Sequence, residues 1–266
     1  MDMAVSGSAV GGHQALAWRV RPAAPVAAVL VLHGGEVASE ARPGPVNLPG
    51  LRMTGFVRAV ARATAGDEVA VGVVRYRYRG WNGERADAVR DTTAALHDLA
   101  EELGPVPTVL IGHSMGGRAA LHAAGHPCVT GVVALAPWCP ADDPHEQLKD
   151  RQLIALHGDR DRVTAPADTL RFAARARSAG ARVAGYTVHG SGHALLRRAS
   201  DWHRATAGLA GALLGLRPLP AAAADAFALD QDASGGLELP LPRRISEPPP
   251  SYRVSTSSSL SASLTK

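Results

Sequence analysis

The sequence predicts an α/β protein, with a mostly parallel central sheet flanked by helices. Between about residues 27 and 216, short apolar, β-branched runs alternate with longer segments of helical period. Several of these runs are apolar at every position, as strands buried on both faces must be. Hydrophobic residues make up 46% of the 266-residue chain and charged residues 20%, enough to bury a core and incompatible with disorder throughout.

Taken in chain order, residues 13 to 21 offer an antiparallel edge strand, with Ala15, Ala17 and Trp18 ahead of a Pro-containing turn. Strands are then expected at Ala28 to Leu32, Glu68 to Tyr78, Thr108 to Ile111, Val129 to Ala134, Leu153 to Leu156 and Arg182 to Val188. Helices follow them. Arg85 to Leu103 places Val89, Leu96, Leu99 and Leu103 on one stripe, and Ala167 to Ala179 stops at Gly180. A last helix, about Trp202 to Leu214, ends before Pro218. The expected organisation is a domain over 1–216 and a disordered Pro/Ser-rich tail over 217–266. Residues 240 to 266 hold five Pro and eight Ser with no apolar period, which leaves that stretch nothing to bury.

Composition narrows the function. Two cysteines, Cys128 and Cys139, are too few for a disulfide scaffold or a cysteine-based zinc site, and they suit a reducing compartment. The first 25 residues lack a basic start followed by an apolar core, so neither a signal peptide nor an N-terminal anchor is expected. No stretch reaches the roughly 20 apolar residues of a membrane helix, and the expected location is cytoplasmic. A net charge of +4 with scattered basic residues and 4% aromatics offers no nucleic-acid platform.

The chemistry concentrates at Val109-Leu110-Ile111-Gly112-His113-Ser114-Met115-Gly116-Gly117, where a buried strand runs straight into a helix through G-x-S-x-G. This is the pattern of a nucleophile elbow: the flanking glycines allow a turn so tight that Ser114 is lifted above the sheet edge. The turn also aims the Met115 amide and the helix start at a developing oxyanion. A serine hydroxyl needs a base, and the base needs a carboxylate to orient it. Both are available downstream. One strand ends in His157-Gly158-Asp159-Arg160-Asp161 and the next in His189-Gly190-Ser191-Gly192-His193, each at a carboxyl end, where open α/β sheets hold their sites. Spacing alone leaves Asp159 and Asp161 both open.

At this point the chain, over roughly residues 27 to 216, resembles the α/β-hydrolase superfamily. It is similar to small cap-less bacterial serine hydrolases of the dienelactone-hydrolase-like or lysophospholipase-like kind. His33-Gly34-Gly35 matches the oxyanion segment of that superfamily, and Arg79-Gly80-Trp81-Asn82-Gly83 its Arg-Gly-x-x-Gly turn. The resemblance implies Ser114 as nucleophile, His193 as general base and then acid, and Asp161 as the orienting carboxylate, with Asp159 left as a solvated loop residue. It further implies the amides of Gly35 and Met115 as oxyanion donors. A serine at the elbow points to acyl transfer through a covalent acyl-enzyme, with small-molecule esters or thioesters as substrates. Peptidase and perhydrolase chemistry share the triad, and a hydrolase-fold binding or interaction protein with little turnover is the rival from another class.

About 18 residues separate Ala134 from Leu153, so no large cap domain is expected. Trp138 to Arg151 and Glu36 to Met53 would form low walls, with Trp81, Trp138, Met115 and Leu195 as candidate apolar linings that ordinary packing explains equally. No metal or cofactor is expected. His122 and His126 stand four apart without a third ligand, H-E-x-x-H is absent, and no phosphate-binding glycine motif occurs. His33, His113 and His157 read as strand-end structural residues. Asp230-Gln231-Asp232-Ala233-Ser234-Gly235 opens like a calcium loop, but its twelfth position is Leu241 and prolines flank it. Arg75, Arg77 and Arg79 alternate with Tyr76 and Tyr78, an arrangement read as covering a sheet edge, with anion binding as the other reading.

Overall fold

Every residue of Ala27–Leu32 is buried, because alternate side chains meet helices on opposite faces of one sheet. This run is β2 of a computed structural model that describes residues 13–44 and 46–243. Its companions are β1 (Leu16–Val20), β3 (Val69–Val74), β4 (Thr108–His113), β5 (Val129–Leu135), β6 (Gln152–Gly158), β7 (Arg182–Val188) and β8 (Leu239–Pro240). They lie in the order β1-β3-β2-β4-β5-β6-β7-β8, with β1 antiparallel to β3 and the remaining pairs parallel.

The helices are α1 (Leu48–Ala63), α2 (Asp87–Leu103), α3 (Met115–His122), α4 (Pro166–Ser178), α5 (Ala199–Leu213) and α6 (Ala221–Phe227). Leu30, Leu110 and Val132 face α2, α3 and α4 through Leu96, Ala119 and Phe172. Val31, Ile111 and Val133 face the other way, towards α1, α5 and α6 through Phe56, Trp202 and Ala223. Gly55 is where α1 and α5 close up, since a side chain there would collide with the His203 ring. No described helix is long and apolar enough to cross a membrane. The connection from β5 to β6 holds only a short 3-10 turn, Glu146–Leu148, so there is no large cap.

The structure differs from the sequence reading in three places. The strand expected to reach Tyr78 stops at Val74. Its neighbour β2 has ended by then, and the Arg77 N–H binds the Asp91 carboxylate, 2.8 Å away, instead of a strand. The sequence reading sets no bounds for the helix α1, since Pro49 and Gly50 at its start obscure the apolar stripe Met53, Phe56, Val57 and Val60.

The third difference is the boundary at 216, because residues 217–243 carry α6 and β8 and are not a disordered tail in the structure. Their apolar residues have no period of their own and are buried by docking on β7. Gly185 has no side chain to hold off the Leu237 carbonyl, and its N–H donates to Gly236 O at 2.9 Å. The buried Arg177 guanidinium, in turn, donates to the carbonyls of Ala233 and Gly235, each at 2.7 Å. The calcium-loop-like segment thus has its carbonyls engaged by the chain itself. The remainder of the expected tail, 244–266, lies outside the described residues.

Candidate active site

The turn between β4 and α3 is as tight as its glycines allow. A side chain at Gly112 would collide with the Gly116 carbonyl, and one at Gly116 with the carbonyls of His33 and Leu32. Ser114 pays for this turn with φ of 55°, a region that side chains disfavour and that functional turns retain. Its backbone is clamped on both sides: Ser114 N–H donates to Leu135 O at 3.1 Å, and its own carbonyl accepts from Trp138 N–H at 3.2 Å.

The loops after β6 and β7 bring the other two residues to this serine. His193 Nε2 lies 3.0 Å from Ser114 Oγ, and His193 Nδ1 lies 2.8 Å from Asp161 Oδ2. Asp161 is surrounded by donors. Oδ1 accepts from the N–H groups of Val163 (2.8 Å) and Thr164 (3.1 Å). Oδ2 accepts from His157 Nε2 and Thr164 Oγ1, each at 3.1 Å. Burial alone would raise the Asp161 carboxyl, but the donors from His157, His193 and Val163 outweigh it and hold it well below the ordinary carboxylate range. The carboxylate is therefore ionised, and the Nδ1 of His193 is the protonated one.

His113 and His157 stand behind these residues. His113 Nε2 donates to the carbonyl of His193 at 2.9 Å, tying the β7 loop to the elbow strand. Burial, reinforced by the neighbouring His193, pushes the His113 imidazole down to about 3, so it remains neutral. His157 accepts from the Thr169 hydroxyl at Nδ1 (2.8 Å), which leaves its Nε2–H for Asp161. Thr164 is the contributor that sequence reasoning missed. The signal was present in Asp161 followed two and three residues later by backbone donors ahead of α4, the form of an Asx turn.

Gly35 and Met115 meet beside Ser114. A side chain at Gly35 would strike the Met115 thioether and the Arg79 carbonyl, and one at Gly34 would come within 3.4 Å of Ser114 Cβ. His33 sets the orientation of this loop: its Nδ1–H donates to Gly34 O at 2.6 Å, while Asn47 Nδ2 donates to Nε2 at 3.2 Å. Because a trans peptide points its C=O and N–H in opposite directions, pinning the Gly34 carbonyl on His33 turns the Gly35 N–H away from it. Met115 opens α3, where an N–H has no acceptor within the helix.

The other residues singled out are placed as follows. Asp159 and His189 pair at the surface, 3.1 Å apart, away from Ser114. Trp81 and Trp138 meet edge to face and the Arg118 guanidinium sits in the corner between them, its carbon 3.9 and 4.3 Å from the two ring centroids, and Arg118 in turn binds Asp143 through two nitrogens. These rings therefore pack a half-buried cation. Met115 and Leu195 are buried in the core. His122 lies 3.2 Å from Asp143 Oδ2, whereas His126 falls past the end of α3, so the two share no helix face. Among the described residues no group of three or more His, Cys, Asp or Glu is arranged to hold a metal ion.

Residues 75–152, which include the elbow but neither Asp161 nor His193, match the family profile of serine aminopeptidases, S33. No curated protein sequence matches the chain. Among solved structures, an esterase/lipase from an uncultured bacterium is similar, with 18% identity, a TM-score of 0.58, and coverage of 75% of this chain and 81% of that one. An esterase from Pyrobaculum calidifontis aligns at 16% identity and TM-score 0.54, covering 74% and 78%. An alpha-beta serine hydrolase homologue from Coxiella burnetii aligns at 16% and 0.54, covering 73% and 90%. With an elbow between its fourth strand and third helix and two loops of later strands converging on it, the chain has the α/β-hydrolase fold.

Proposed function

We propose that this protein is a serine hydrolase that cleaves carboxylic esters or thioesters through an acyl-enzyme, with Ser114 as nucleophile. The observation that carries this reading is the unbroken line Ser114 Oγ, His193, Asp161, with contacts of 3.0 and 2.8 Å. Ser114 Oγ attacks the substrate carbonyl while His193 Nε2 takes its proton, and the ionised Asp161 stabilises the imidazolium through Nδ1–H. The amides of Gly35 and Met115 receive the oxyanion. His193 then returns the proton to the departing alkoxide or thiolate, and water deacylates Ser114 by the same relay in reverse.

The elbow strain supports this assignment, since a serine held at φ of 55° serves no packing purpose that an ordinary turn would not. Two buried, unpaired thiols, Cys128 and Cys139, fit a cytoplasmic location. The test is covalent labelling. A fluorophosphonate probe should modify Ser114, located by peptide mass spectrometry, and His193→Ala should abolish the modification. A folded protein that stays unlabelled would instead be a binding protein on a hydrolase scaffold. Turnover of p-nitrophenyl esters of increasing chain length, set beside acyl-CoA and aminoacyl substrates, separates esterase, thioesterase and peptidase activity.

A further inference from the structure

A cleft of about 1070 Å³ runs along α1 beside the sheet edge formed by β1 and β3, and one end of it reaches His33. That end adjoins the proposed chemistry, because the next residue, Gly34, lies against Ser114. The lining is one-sided in charge. It includes five arginines, at 19, 42, 58, 75 and 77, and no acidic side chain. Arg77 is neutralised by Asp91 at 2.6 Å, but among the described residues Arg19, Arg42, Arg58 and Arg75 form no ion pair, and all four are exposed. Guanidinium groups stay protonated at any working pH, so mutual repulsion among them persists until an anion arrives.

Beneath this cationic rim the floor is apolar, made by Val31, Met53, Val57 and Val73. Exposed apolar side chains also line the cleft: Val20 and Leu51, at 38% and 56% exposure. A patch of this kind on an otherwise polar surface marks a binding site. Its volume is at the upper end of the range for small-molecule sites, so an extended ligand fits better than a compact one. An apolar floor beneath unpaired arginines is complementary to a single ligand chemistry, an apolar chain bearing an oxyacid anion.

Resting on the Ser114 reading, we propose that the cleft receives substrates that are anionic amphiphiles: esters or thioesters with an apolar chain and a carboxylate or phosphate remote from the scissile carbonyl. The chain lies on Val31, Val57 and Val73, the anion meets Arg19, Arg58 and Arg75, and the carbonyl sits at the His33 end. This chemistry disfavours the cationic free amine of an aminoacyl substrate.

Binding can be measured apart from turnover in Ser114→Ala, by calorimetric titration with dodecyl phosphate, dodecyl maltoside and inorganic phosphate. The expected result is one dodecyl phosphate per chain, at least about tenfold tighter than either control. The double substitution Arg58→Glu/Arg75→Glu should weaken it about 30-fold or more, and Arg19→Gln about threefold. Equal binding of dodecyl maltoside, equal binding of inorganic phosphate, or indifference to the double substitution would each overturn the proposal. The two readings fail separately. A labelled Ser114 without dodecyl phosphate binding removes the cleft assignment alone, whereas binding without labelling keeps the cleft as a ligand site and removes the hydrolase.

Discussion

The loops after β6 and β7 meet twice, each time through an aspartate and a histidine. Asp159 with His189 and Asp161 with His193 have the same chemistry and nearly the same separation, 3.1 and 2.8 Å. They differ in surroundings. The first pair is 37% and 58% exposed, and its carboxylate has one further donor, the Gly190 N–H. In the second the Asp161 side chain is fully buried, with four donors besides His193, and the far nitrogen of His193 faces Ser114. An Asp–His contact gains chemical consequence from the burial that makes its charge matter and from the third group it addresses.

Substitutions can set the two pairs against each other. Asp161→Asn should have the largest effect, a fall in kcat of about 10⁴-fold, because the imidazole loses both its tautomer and its counter-charge. Gly35→Ala follows. Its new methyl group must displace the Met115 side chain or the Arg79 carbonyl, and losing one of the two proposed oxyanion donors should lower kcat by ~10²- to 10³-fold. Thr164→Val removes a hydroxyl bond to the same carboxylate, which by the worth of a hydrogen bond to a charged group, about 1.5–3 kcal/mol, lowers kcat roughly 10- to 100-fold. Asp159→Asn is the control and should leave kcat within about twofold and stability within about 1 kcal/mol, the scale of an exposed pair. An Asp159→Asn variant as impaired as Asp161→Asn in p-nitrophenyl ester turnover would erase the distinction.

Acid unfolding sharpens the comparison further. Opposed by burial but dominated by its donors, the folded Asp161 pKa lies well below the ordinary aspartate value of 3.8. A carboxylate with a lowered folded pKa contributes its full stability above about pH 4 and loses it as the pH falls towards the folded value. The Tm difference between wild type and Asp161→Asn should therefore be constant near neutrality and shrink below pH 4. His113 works in a higher window. Held neutral down to about pH 3, it costs stability as the pH drops below 6.5 and the unfolded chain takes up a proton that the folded one refuses. A His113→Phe variant that folds should show a flatter Tm profile between pH 6 and 4.

The parts legible in the sequence are those that local geometry dictates. Gly112 and Gly116 around Ser114 announce a sharp turn between a buried strand and a helix, and Asp161 and His193 lie at strand ends, where the sheet's handedness gathers loops. What was not legible depends on neighbours distant in sequence. Thr164 gains its importance from Asp161 and His193 together, and α6 and β8 depend on the edge that β7 leaves open. The alternating Arg75 and Arg77 looked like strand residues. Their actual setting, a rim above the Val31 and Val73 floor, required α1 to be in place.

The short β8 has a consequence for anyone shortening this chain. Ending it after Leu216 would strip the partner from β7 at Tyr186 and Thr187, strand the buried Arg177 guanidinium without its Ala233 and Gly235 acceptors, and free Arg198 from the Leu241 carbonyl. The bared β7 margin would present unmet N–H and C=O groups to any passing strand, so the trimmed protein should self-associate and precipitate. Sheet closure at that flank rests on a segment that composition alone would advise discarding.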